Sequence, residues 1–223
     1  SNGIDVNQGE FFHFVNMLSA RGIATVTYDI AGTGTNASIP LRPDYEWVPV
    51  ALAEKVGARA DIDADAMAIM GVSFGGNAST KLAHTRPDLF KAAVNMCGPI
   101  HEVFQIPLEY FEAIHVMYRD ALFARTGIEK GENAALLDLM RQFSLVDQGV
   151  IKPGKATTQV PILSVNARND NVAPEVDIDL VTASTSDGSV ILSGTDDHCP
   201  QDRFTVMPQV ADWLSRHLDN PSG

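Results

Sequence analysis

Basic residues are scarce in this chain: 16 Lys and Arg stand against 28 Asp and Glu, a formal net charge of −12 at pH 7. Binding nucleic acid needs basic patches that neutralise phosphates, so that class is excluded, and attraction to anionic membranes is disfavoured with it. The excess of acid is read as a solubility feature. No run of about 18 apolar residues occurs, which excludes a membrane-spanning helix. Residues 1–10 lack a basic segment followed by an apolar stretch, so no signal peptide is expected there. Cysteine is nearly absent. Cys97 and Cys199 are the two present, too few for a disulfide framework, and the expectation is that both are reduced in a cytoplasmic protein. Metal-ligand spacing and H-E-x-x-H are missing, so no metal is expected. No G-x-G-x-x-G opens a helix, and no cofactor is expected. Ala31-Gly32-Thr33-Gly34 is too short for that motif and reads as a turn after a strand. Internal repeats and low-complexity tracts are lacking too.

What is present is an ordinary globular composition, 45% apolar and 20% charged over 223 residues, enough for a sizeable core. Short apolar runs alternate with amphipathic stretches, the pattern of βαβ units and a parallel sheet. Residues 23–30 (IATVTYDI), 66–72, 91–97, 160–167 and 189–192 read as strands. Residues 11–20, 45–56, 77–84 and 207–218 read as helices, with Pro208 in the first turn of the last one. Residues 101–150 are mostly helical in pattern and longer than a crossover requires. They predict a cap between two parts of one core, 1–100 and 151–223. A decorated crossover packed at an edge is the alternative.

The sharpest motif is Gly71-Val72-Ser73-Phe74-Gly75. G-x-S-x-G between a strand and a helix is the nucleophile elbow, a turn so tight that small residues must flank the nucleophile. It presents the serine hydroxyl beside a helix N-terminus, which favours negative charge developing on a substrate. A serine needs a base, and the base an orienting acid. Asp170 follows the 160–167 strand, and His198 follows the last strand just before the final helix. They are the candidates for acid and base. His13, His84 and His217 fall on helices, and His101 and His115 in the 101–150 segment. The oxyanion donors are expected to be the Phe74 N–H and, from the loop Ser1-Asn2-Gly3-Ile4-Asp5, the Ile4 N–H. Asp29 could line the pocket or stabilise its turn. Phe104, Tyr110, Phe111 and Tyr118 could contact an apolar substrate or form the core of the cap.

With these residues in place, the chain resembles the FrsA-like (fermentation–respiration switch protein) family of α/β-hydrolases. The likeness rests on Gly3-Ile4-Asp5, Arg21-Gly22-Ile23-Ala24, the 29–34 turn, the Ser73 elbow and the Asp170 and His198 loops. It implies an α/β-hydrolase fold, a mostly parallel sheet with helices on both faces and a helical cap. The implied activity is serine-hydrolase cleavage of a carboxylic ester. C–C bond cleavage in a β-diketone-like substrate is the runner-up, and a non-catalytic binding protein the competing reading. It implies a small-molecule substrate and leaves a homodimer open. It also exposes a gap. The strand that precedes Gly3 in this fold lies between the 23–30 and 66–72 strands, so an upstream segment or separate chain is expected to complete the sheet.

Overall fold

The computed structural model describes residues 1–218. Four parallel strands run in the order β1 (Ala68–Val72), β2 (Ala92–Met96), β3 (Ile162–Ala167) and β4 (Gly188–Ser193). The register is continuous, from Ala68 opposite Ala92 to Val72 opposite Met96, and from Ala93 opposite Ile162 to Met96 opposite Val165. Strands β2 and β3 are buried on both faces, as expected where helices cover a parallel sheet.

Period-two alternation assigns the faces. Ala92, Val94, Met96, Leu163 and Val165 pack with α1 (Phe12–Ser19) and α8 (Arg203–His217). Ala93, Ile69 and Ile162 point the other way. They meet residues of α2 (Trp47–Gly57), α3 (Phe74–Thr85) and α7 (Glu175–Ser184). Each large apolar side chain so buried stabilises the fold by roughly 1.5–3 kcal/mol.

The 101–150 segment contains α4 (Leu108–Ala113), α5 (Val116–Thr126) and α6 (Asn133–Arg141). Gly127, at φ 68°, ends α5 in the left-handed conformation that favours glycine. The apolar side chains of this segment, Phe104, Phe111, Leu136 and Phe143 among them, gather on Phe74 and Ala78 of α3. The segment is therefore anchored on the helix that follows the Ser73 turn.

Two expectations need correction. Residues 23–30 have a strand's composition but belong to no strand. Among the described residues, 24–28 make no backbone–backbone hydrogen bond. A strand needs a neighbour to pair with, and these residues have none among the described residues. Helix α8 starts four residues earlier than expected, so Pro208 is interior to it. Burial of Val206 and Met207 draws the earlier turn into the helix. The N–H that Pro208 lacks would bond the carbonyl of Phe204, a residue 87% exposed, where water can serve instead.

Candidate active site

The turn after β1 is built on close approach. Any Cβ on Gly71 would overlap the Gly75 carbonyl. Ser73 sits at φ 52°, ψ −124°, a strained backbone for a residue with a Cβ. It is pinned by its own N–H donating to the Met96 carbonyl (2.8 Å) and by the Gly76 N–H donating to its carbonyl (2.7 Å). Sheet neighbour and helix start together fix the hydroxyl at the carboxyl edge of the sheet.

Asp170 and His198 come to that hydroxyl from the loops after β3 and β4. The Ser73 Oγ lies 2.8 Å from His198 Nε2. His198 Nδ1 lies 3.0 and 2.9 Å from the two carboxylate oxygens of Asp170. The Asp170 side chain is fully buried, whereas His198 keeps 21% of its side chain exposed. Burial pushes the Asp170 carboxyl up. The His198 hydrogen bond, with the Ala173 and Cys199 amides, outweighs that and holds it below the ordinary carboxylate value. An ionised Asp170 fixes the Nδ1–H tautomer, which leaves Nε2 free to accept a proton from Ser73.

The oxyanion candidates flank the hydroxyl. The Phe74 N–H opens α3. Gly3 passes so close that a Cβ there would stand 3.5 Å from Ser73 Oγ, which brings the loop that carries Ile4 against Ser73. The Ile4 carbonyl accepts from Arg125 Nε of α5 (3.0 Å).

The five candidates for substrate contact separate. Asp29 is 1% exposed, and its oxygens accept from the Gln8 N–H (2.8 Å) and from the Thr35 N–H and hydroxyl (2.9 and 3.0 Å). It stabilises its turn and does not line an open pocket. Phe104 is fully buried, 6.0 Å edge-on from Phe74. It is core and cannot meet a substrate without unpacking, and Phe111 is buried likewise. Tyr110 and Tyr118 remain exposed.

The other histidines have local partners. His101 Nδ1 meets Ser144 Oγ (2.8 Å), His115 accepts from the Met117 N–H (3.3 Å), and His217 stacks on Trp213.

Three residues that sequence reasoning missed hold the site. Asn2, fully buried, donates to the Gly3 and Val6 carbonyls and to Thr33 Oγ1, and accepts from the Ile30 N–H. Asn77 on α3 donates to the Pro99 and Phe143 carbonyls and accepts from the Tyr45 hydroxyl. Asp177 on α7 accepts from the Ile100, His101 and Glu102 amides, pinning the start of the 101–150 segment. The cysteines were also misread. Cys97 and Cys199 are joined by a disulfide, so the inference of a reducing compartment drawn from free thiols loses its basis.

The Esterase FrsA-like family profile matches residues 1–219. The chain belongs to this family. It is 27% identical over 220 residues to Esterase FrsA of Photobacterium profundum, covering 98% of this chain and 51% of that protein. It is 30% identical over 182 residues to Esterase FrsA of Vibrio vulnificus, covering 81% of this chain and 43% of that one. The chain thus spans about half the length of the curated relatives it matches. Among solved structures, a 2,6-dihydroxy-pseudo-oxynicotine hydrolase superposes with a TM-score of 0.79 at 23% identity, covering 97% of this chain and 59% of that one. A Paleococcus ferrophilus monoacylglycerol lipase superposes at 0.71 and 15% identity, covering 97% and 92%. These likenesses establish the α/β-hydrolase fold. In this FrsA-like chain the three residues brought into contact, Ser73, Asp170 and His198, follow one another in that sequence order.

Proposed function

We propose that this FrsA-like chain is the catalytic part of a serine esterase acting on a small-molecule carboxylic ester. The observation that carries the reading is the unbroken chain of contacts from Ser73 Oγ through His198 to buried Asp170. In this reading His198 Nε2 takes the hydroxyl proton as Ser73 attacks the ester carbonyl. The Phe74 and Ile4 N–H groups receive the oxyanion, and the α3 N-terminus adds its dipole. His198 returns the proton to the leaving alcohol, then activates water to release the acyl group from Ser73. The α4–α6 segment acts as a cap, and Tyr110 and Tyr118 are the members of the aromatic set still available to a substrate.

The test is Ser73→Ala together with fluorophosphonate labelling. The variant should fold, lose turnover of aryl and alkyl esters, and resist the label. Turnover that persists in it would move the chemistry elsewhere. An unlabelled Ser73 in folded native protein would favour a non-catalytic binding role. Preference for β-diketones over esters in the same panel would favour C–C cleavage.

The same reading includes a fifth strand. The Ser1 nitrogen donates to the Met70 carbonyl (2.6 Å), and the Val72 N–H donates to the Ser1 carbonyl (3.1 Å). That is one residue of a parallel ladder on the free edge of β1. Behind it a cavity of about 490 Å³ runs between β1 and residues 23–28. Strand β1 is apolar throughout (AIMGV) yet only alternately buried. An extended segment upstream of Ser1 would pair with both free edges and fill the cavity.

A further inference from the structure

Among the described residues, the non-glycine positions with positive φ are Ser73 (52°), Cys97 (50°) and Cys199 (64°). Side chains with a Cβ adopt this region at a cost, and only where surrounding structure enforces it. One of the three is the nucleophile of the proposed esterase. The other two are the ends of the disulfide, with Cα atoms 5.0 Å apart and a sequence separation of 102.

Each half of the bond abuts one half of the proton-transfer pair. Cys97 follows Met96, whose carbonyl holds the Ser73 N–H, and the Cys97 N–H itself donates to the Val165 carbonyl (2.7 Å). That half is therefore fixed to the sheet. Cys199 follows His198 directly. Its N–H donates to Asp170 Oδ2 (3.2 Å), and its Sγ lies 3.7 Å from His198 Nε2. That half belongs to a loop with no ladder of its own. Other ties on the loop come from the Gln201 side chain, which donates to the His198 and Cys199 carbonyls (3.4 and 3.1 Å). Both cysteines are buried.

We propose that the Cys97–Cys199 disulfide is a positioning element for His198. It straps the base-bearing loop to the end of β2, so that the Ser73–His198 separation depends on the redox state of this pair. The inference rests on the serine-esterase reading. A dithiol reductant would break the S–S bond, delivering two electrons and two protons to the sulfurs and becoming a disulfide itself. The loop would then keep only its hydrogen bonds, and the strained backbone at Cys199 would be free to relax.

The experiment uses the full-length natural polypeptide. Alkylation in denaturant without reductant should find Cys97 and Cys199 blocked, and both should become reactive when dithiothreitol precedes the alkylation. Reduced protein, and separately Cys97→Ala/Cys199→Ala, should show an ester kcat about tenfold to a hundredfold lower, the range for a misplaced catalytic group. KM should change little, and fluorophosphonate labelling of Ser73 should slow by the same factor. A purely structural bond would lower the unfolding midpoint and leave kcat, measured well below that midpoint, unchanged. Free thiols in the native protein would overturn the proposal. So would a folded double variant with kcat within about twofold of the oxidised protein. If the oxidised protein shows no Ser73-dependent turnover, the esterase reading fails instead. Placement is then read from the His198 imidazole resonances, which must shift on reduction if the strap holds the ring and stay fixed if it does not.

Discussion

The slot beside β1 can be tested through a proton. When Ser1 begins the polypeptide, its amino group donates to the Met70 carbonyl inside the slot. Ser1 as a residue is half-buried, but the nitrogen itself faces inward, and loss of solvent lowers its pKa from 8.0 to about 5. The sign follows from linkage. A base whose folded pKa is depressed must shed its proton to fold, so its stabilising form is complete above pH 8 and is lost as pH falls towards 5. Two states separated by three pKa units differ by up to ~4 kcal/mol once both are protonated. The cost is close to zero at pH 9, roughly 1 kcal/mol at pH 7 and several kcal/mol at pH 5. Extending the chain upstream converts this amine to a peptide amide, which cannot titrate, and adds ladder hydrogen bonds of about 0.5–1.5 kcal/mol each. Urea unfolding of the Ser1-initiated and extended chains from pH 5 to 9 isolates both effects. The extended chain should be more stable at every pH, by a margin that widens by roughly 3–4 kcal/mol on going from pH 9 to 5. Titrations of groups remote from Ser1 cancel in the difference, and Asp29, which interacts with the amine, is the neighbour whose own titration is followed alongside. A margin independent of pH would show that Ser1 does not enter the slot. No margin at all would refute the fifth strand.

Other perturbations read the site itself. Asp170→Asn should lower ester kcat by about 10³–10⁴-fold at nearly constant KM, as loss of the correct imidazole tautomer does. Because the Asp170 carboxyl is held below its ordinary value, the stability it contributes should persist above about pH 4 and fade only as pH falls through that lower value. Comparing acid unfolding of native protein and Asp170→Asn measures this. Gly71→Ala forces a methyl into the Gly75 carbonyl and should cost about 2–3 kcal/mol in urea unfolding, with slower phosphonate labelling. Asn2→Ala removes a buried amide whose Nδ2 shares its two hydrogens among the Gly3 and Val6 carbonyls and Thr33 Oγ1 and whose Oδ1 accepts from the Ile30 N–H. It should cost about 1–3 kcal/mol and lower kcat more than it raises KM, because the loop that carries the Ile4 amide loses its anchor.

Much of the fold was legible because its signals are local. Strands β2 and β3 are buried on both faces, so they read as largely apolar runs, AAVNM and ILSVNA, broken only by Asn95, Ser164 and Asn166. The elbow declared itself through small residues that the tight turn cannot do without. Asp170 and His198 then followed from where strands end, since the carboxyl edge of a parallel sheet is where loops converge. Residues 23–30 failed for a non-local reason. Their β-branched composition is genuine, but a strand is defined by a partner, and composition carries no information about whether the partner is in the same piece of chain.

The polar scaffold of the site was illegible for a related reason. Asn2, Asn77 and Asp177 each bridge segments far apart in sequence, and no period or motif marks a side chain whose only role is to satisfy distant backbone groups. The disulfide is the instructive case. Two cysteines 102 residues apart form no pattern, and a count alone argued that both were free. Position argued otherwise. Cys97 immediately follows β2, just as Ser73 follows β1, and Cys199 follows the candidate base after β4. Once strand ends are taken to converge at one edge, both thiols are placed beside Ser73. The topological rule that assembled Ser73, Asp170 and His198 applies equally to Cys97 and Cys199, and topology was the better guide to their state than number.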